Sequence, residues 1–283
     1  MLPAVVKLCC GISYPHLRSM TGLQRTAVAV IGQEITHLQR QNQHHTRMPA
    51  GLMYNDATLE AVPVKDDHPS YLQQAREAMI KALRVLKDED GWEVEITESN
   101  GDVICSKMMP GAKRIFRLEA VLEASVDQLH ELLFVRVEEM QQWNPSIKQI
   151  KVLKRVGPET VITHEILAET AGNLIGQRDF LSVRHSCKQK SGVFLGGAAI
   201  HLESLPPQAG YVRAENGPTC IIIQAVDDDP RKSRVTWLLN MDLKGRLPKS
   251  IVNQALPRAQ LDFIRHLRQR LTATAAPPQQ RGR

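Results

Sequence analysis

The chain of 283 residues lacks any uninterrupted apolar run of about 18 residues, the length a membrane-crossing helix needs. No transmembrane helix is therefore expected. Cysteine is sparse: Cys9, Cys10, Cys105, Cys187 and Cys220. An odd count with no C-x-x-C spacing and no His/Cys cluster argues against a disulfide framework or a zinc site, and it suits a reducing compartment. Phosphate-loop, H-E-x-x-H, G-x-S-x-G and G-x-G-x-x-G signatures are missing too. Nucleotide, zinc-protease and esterase chemistry thus has no local support, and no metal or cofactor is expected.

The amino terminus lacks acids. Residues 1–50 carry Lys7, Arg18, Arg25, Arg40 and Arg47 against Glu34 alone, which is +4 of the net +6. The rest of the chain is nearly neutral, so it has no basic stripe of the kind a nucleic-acid binder shows. Arginines spaced among apolar and small residues, with an amphipathic stretch at Leu23–Ile31, form the pattern of a mitochondrial transit peptide. A basic tail without an address is the alternative. Residues 41–62 read as a polar linker.

The body begins with a helix. Leu72, Ala75, Met79, Leu83 and Leu86 recur at three- and four-residue spacing. Alternating segments "WEVEIT", "DVICSKM" and "KRIFRLEAVLE" follow, separated by Asn-Gly and Pro-Gly turns. Ser125 and Gln128 make a capping box that opens a helix predicted to run to about Trp143. Six further strand-like segments lead to a closing helix with an apolar face at Val252, Ala255, Leu256, Ala259, Phe263 and Leu267. Pro257 predicts a kink or interruption there. No helix separates successive strands, so the fold class is α+β with an antiparallel sheet of about nine strands, not a doubly wound parallel sheet.

Charge inside apolar strands is the one repeated oddity. In "VITHEILAETAGNLIGQRDFLSVRHS", Val161, Thr163, Glu165 and Leu167 share one face, as do Arg178, Phe180, Ser182 and Arg184. If Glu165 and Arg184 both point inward, each is too costly to bury alone, and together they make a buried ion pair. A cross-strand surface pair is the other reading. His164 and Glu165 face opposite ways, so they do not form a catalytic pair. Arg178-Asp179 reads as a loop clamp.

The segments "WNPSIKQIKVL", "ITHEILAETAGNLIGQRDFLSVR", "VRAENGPTC" and "TWLLNMDLKGRLPKSIVNQ" resemble the START-domain lipid-transfer family over almost the whole chain. The resemblance implies a helix-grip fold, in which a curved antiparallel sheet surrounds a long carboxy-terminal helix with a lipid tunnel between them. It implies residues 1–62 as transit peptide and linker, 63–275 as the lipid-binding domain and 276–283 as a tail. The implied activity is non-enzymatic delivery of cholesterol, or a related sterol, from the outer to the inner mitochondrial membrane for steroid hormone synthesis. The partners are then the sterol, the outer-membrane surface and the import machinery, with a monomeric protein and no nucleic acid. The family's acid–arginine pair falls on Glu165 and Arg184. Its other ligand-lining positions fall on Asp102, Met140, Asn144, Leu195, Asn216 and Phe263, and its lid loop on Ala171–Gln177.

Several residues depart from the family pattern. Asn216 stands for an expected His, Arg246 for a Trp, and Pro257 is not expected in the last helix. The family's phosphorylation site falls on Ser191, with Gln189 in place of an arginine. These mark a divergent paralogue. Lys244, Arg246 and Lys249 are candidates for contact with an anionic membrane. The alternative is a helix-grip enzyme acting on a hydrophobic or acyl-CoA substrate, with Glu165 or His164 as general base. A third reading is a protein-interaction adaptor using the basic last helix.

Overall fold

The computed structural model describes residues 68–111, 113–168, 175–227 and 229–275. The expected transit peptide and linker, residues 171–174 of the expected lid loop, and the tail 276–283 lie outside the described residues.

Helix α1 (His68–Lys87) buries Ala75, Ala78, Met79, Ala82 and Leu86 along one face, as its period requires. Strands β1 (Trp92–Thr97), β2 (Val103–Met109) and β3 (Lys113–Leu122) follow as antiparallel neighbours. The capping box at Ser125 is present in both directions and starts α2 (Val126–His130).

The single helix predicted from there to Trp143 is broken. A π turn (Glu131–Val135) ends at Arg136, whose φ of −101° and ψ of 42° leave the helical region. A 3-10 turn (Val137–Glu139) and a short α3 (Met140–Trp143) complete the segment. The break turns Glu138 and Gln141 onto the sheet edge. There Glu138 Oε1 accepts from the Val152 N–H at 2.9 Å and Gln141 Oε1 accepts from the Ile150 N–H at 3.3 Å. These caps satisfy donors that an edge strand leaves open.

The remaining strands are β4 (Ile147–Arg155), β5 (Thr160–Leu167), β6 (Arg178–Gln189), β7 (Gly192–Ala199), β8 (Val212–Asn216), β9 (Thr219–Val226), β10 (Asp229–Leu239) and β11 (Met241–Asp242). Helix α4 (Lys249–Ala275) closes the chain. The main path runs β1-β2-β3-β10-β9-β7-β6-β5-β4, nine strands as the pattern predicts. Two segments read as single strands are split. "YVRAENGPTCIIIQAV" parts at Gly217-Pro218, because proline cannot donate to a ladder. Its first half, β8, leaves the main path to pair parallel with β6 and antiparallel with β11.

The two faces of the sheet are distinct. On one, Gly196 faces Met79 of α1, and a Cβ there would come within 2.9 Å of it. Phe194, Cys220, Ile222 and Leu238 join α1 on that face. On the other, Ile104, Phe116, Leu118, Leu195, Ile223 and Val235 pack with Leu256, Ile264, Leu267 and Leu271 of α4. Helix α4 runs through Pro257, so of the expected kink or interruption the interruption does not occur. Pro257 is buried, so packing of the helix against the sheet overrides the missing N–H.

Candidate functional site

The α4-facing side of the sheet carries the candidate residues. Register pairs Val161 with Arg184, Thr163 with Ser182 and Glu165 with Phe180. Val161 and Phe180 belong to the core under α4. Opposed residues share a face, so Glu165 and Arg184 point inward as the parity reading requires, and the surface-pair reading fails.

The bidentate contact expected of them is absent. Glu165 and Arg184 attract each other electrostatically without meeting in a direct ion pair. Their positions are offset by four residues along the ladder, roughly 13 Å of strand, and the side chains close only part of that gap. Burial pushes the Glu165 carboxyl above its usual range, and the Arg184 guanidinium only partly opposes this. Burial likewise lowers Arg184 from its ordinary value, with Glu165 pulling the other way. Arg184 Nη1 is buried without a hydrogen-bond partner among the protein's own atoms. Both side chains sit deep in the protein yet keep accessible surface. A charged group facing an internal space has this combination, and it leaves a donor and an acceptor available to a buried hydroxyl.

The other candidates divide. Met140, Leu195 and Phe263 fall in the same core cluster, between sheet and helix. Phe263 stands edge-on to Trp143 and Trp237, with ring centroids 5.5 and 5.1 Å away. Asn216 donates to Ser182 Oγ at 3.4 Å, two residues from Arg184. It also lines a cavity of about 710 Å³ shared with Tyr71, His201, Arg213 and Lys244. Asn144 is buried in a turn, where its Oδ1 accepts from the Ser146 N–H at 3.0 Å. Asp102 is occupied by Arg268 of α4 through two bonds of 2.6 Å. Asn144 Oδ1 and both Asp102 carboxylate oxygens are thus engaged within the protein.

Arg178 is a clamp, as expected, but not of carboxylates. Its guanidinium donates to the carbonyls of Gly176, Leu243 and Lys244. It thereby ties the described end of the expected lid loop to the segment before α4. On the opposite face of the sheet, Asp179 Oδ2 accepts from Arg213 at 2.8 Å and meets His164 Nε2 at 2.9 Å. Burial alone would raise Asp179, but these hydrogen bonds win and hold it below the ordinary 3.8. His164 and Glu165, the two general bases of the enzyme reading, thus lie on opposite faces, with His164 locked to Asp179. Lys244, a candidate for membrane contact, is paired with Glu215 and Asp242 at 2.9 and 3.0 Å.

Sequence reasoning missed Gln260 and Trp143. Gln260 is fully buried on the sheet-facing side of α4, and a polar residue in the apolar period was the signal that marked it. Trp143 gave none beyond its place before Asn144-Pro145.

Residues 72–276 match the START domain family. The chain is 45% identical to "Steroidogenic acute regulatory protein, mitochondrial" of Rattus norvegicus over 281 residues, covering 98% of each chain. It is 44% identical to the protein of that name from Danio rerio, over 96% of each. Among solved structures, human StAR-related lipid transfer protein 5 superposes with a TM-score of 0.68 at 17% identity, over 74% of this chain and 100% of that one. Human STARD10 superposes with a TM-score of 0.58 at 18% identity, over 74% and 82%. These two likenesses bear on the fold, which agrees with the antiparallel sheet and terminal helix described above.

Proposed function

The chain belongs to the START domain family, and on that premise we propose that it carries a sterol, cholesterol first, to the inner mitochondrial membrane for steroid hormone synthesis. It acts as a carrier and not as an enzyme. The full-length relatives at 44–45% identity bear steroidogenic and mitochondrial names, which supports both destination and role. Residues 1–62 serve as transit peptide and linker read by the import machinery, and 63–275 as the lipid-binding domain. The protein works as a monomer at the outer-membrane surface, where Arg246 and Lys249 precede and open the grip helix.

The observation that carries the reading is the inward-facing Glu165 and Arg184 beside the apolar core under α4. A sterol is an apolar body with one hydroxyl. Burying the body is favourable by about 25 cal/mol per Å², and the hydroxyl needs one partner inside. Glu165 and Arg184 supply it. Met140, Leu195 and Phe263 hold the apolar body, with Asn216 beside the pair through Ser182.

Vesicle transfer tests the proposal. Catalytic amounts of the full chain should accelerate movement of labelled cholesterol from donor to acceptor vesicles, and a fusion of residues 1–62 to a reporter should reach mitochondria. No acceleration over a vesicle-only control overturns the carrier role; a cytosolic reporter overturns the address.

A further inference from the structure

We propose that the cavity beside α1 is a side port, through which water reaches the Glu165–Arg184 floor and leaves it when a sterol enters, with Asn216 at its inner end. The inference rests on the sterol-carrier reading and deepens it.

The cavity of about 710 Å³ lies where the sheet divides. Strand β5 occupies one edge of β6, so β7 and β8 share the other. Pairing with β7 runs as far as Ser182–Ala199, and pairing with β8 covers Arg178–Phe180. Ala199, the last residue of β7, lines the cavity together with Asn216 of β8 and with Tyr71 and Gln74 of α1.

The polar floor begins directly behind that wall. Ala199 pairs with Ser182, and Ser182 pairs with Thr163. Thr163 is two residues from Glu165 and Ser182 two from Arg184, so all four share one face of the sheet. Asn216 Nδ2 donates to Ser182 Oγ at 3.4 Å. Asn216 thus borders the cavity on one side and the floor on the other.

The floor needs water. Arg184 Nη1 is buried without a partner among the protein's own atoms, and charge kept from water is costly unless it is hydrogen-bonded. Buried water ordinarily supplies such bonds where the surroundings are polar and roomy. An incoming sterol hydroxyl takes the place of that water while the sterol body blocks the way it came. A path through the sheet beside Asn216 lets the displaced water out behind it.

The test places a thiol at the inner end of the port. Ser182→Cys in the full chain is treated with a small water-soluble methanethiosulfonate, and labelling of residue 182 is followed by peptide mass spectrometry. The thiol should label without added sterol. Adding Asn216→Phe, or Ala199→Met should the first fail to fold, narrows the port and should slow labelling several-fold. Stopped-flow association of a fluorescent sterol should slow in the same single variants. A thiol that does not label, labelling that is unchanged or faster in both variants, or association that is untouched by them overturns the port. Absence of sterol binding by the wild type overturns the carrier reading, and labelling then still decides whether water enters beside Asn216.

Discussion

Arg268, near the end of α4, grips Asp102, in the turn before β2, through two hydrogen bonds of 2.6 Å each. The same guanidinium donates to the Val121 carbonyl at 3.0 Å. One side chain therefore fastens the last turns of the grip helix to two places on the sheet, 147 and 166 residues away in sequence. The Asp102 side chain is almost fully buried and that of Arg268 is 30% exposed.

Breaking that pair should loosen the helix from the sheet. Asp102→Ala should cost about 2 kcal/mol of stability, below the full cost of a buried pair because solvent reaches Arg268. Urea unfolding of both single variants and the double variant checks it. Because the residues act as a pair, the double variant should lose less than the sum of the singles. Additive losses would show that the two side chains act separately.

Arg178 holds the other end of the helix. Its three carbonyl partners come from both sides of the helix entrance. Arg178→Leu strands them and should cost about 3 kcal/mol. It should also raise the sterol dissociation rate, because the loop and the segment before α4 are no longer joined. Stopped-flow release of a fluorescent sterol measures this, and an unchanged rate would remove Arg178 from the gate.

Pro257 should limit stability. The helix continues through it without a donor for the carbonyl one turn earlier. Pro257→Ala should therefore raise the thermal midpoint, with a gain of about 2 kcal/mol. A lower midpoint would mean that ring packing outweighs the lost hydrogen bond.

Acid should destabilise the fold through histidine. His130, His185 and His266 are each lowered from the ordinary 6.5, first by burial and then by Lys188, Arg76 and Arg265 respectively. The unfolded chain takes up these protons before the folded one does. Their contribution to stability is thus complete above 6.5 and is lost as pH falls through the lowered values. Glu165 acts in the opposite sense: raised above its ordinary 4.5, its contribution is present below that value and is lost as pH rises through the raised one. Urea midpoints between about pH 7.5 and 5.5 should fall with acid in the wild type. They should fall less in His185→Gln and more in Glu165→Gln. Parallel curves for all three would contradict the assignment.

Much of this was legible in the sequence, for physical reasons that differ by element. Alternation placed β5 and β6 and sent Glu165 and Arg184 inward, because a period of two leaves no choice once one face is apolar. The capping box located Ser125 because its donors and acceptors are local. What was not legible depended on distant partners. The offset that keeps Glu165 from touching Arg184 is set by register, which alternation alone does not fix. The break at Arg136 answers the bare edge of β4. The tie of Asp102 to Arg268 joins residues far apart in sequence and leaves no local signal.

Titration of the full chain with a fluorescent sterol, beside folded Glu165→Gln and Arg184→Leu variants, tests whether the buried pair binds the sterol hydroxyl. Binding should be saturable and one-to-one, and each variant should weaken it about tenfold, the loss of one interior hydrogen bond to a charged group. Binding that is absent, or equally tight in all three proteins, would contradict that role of the pair.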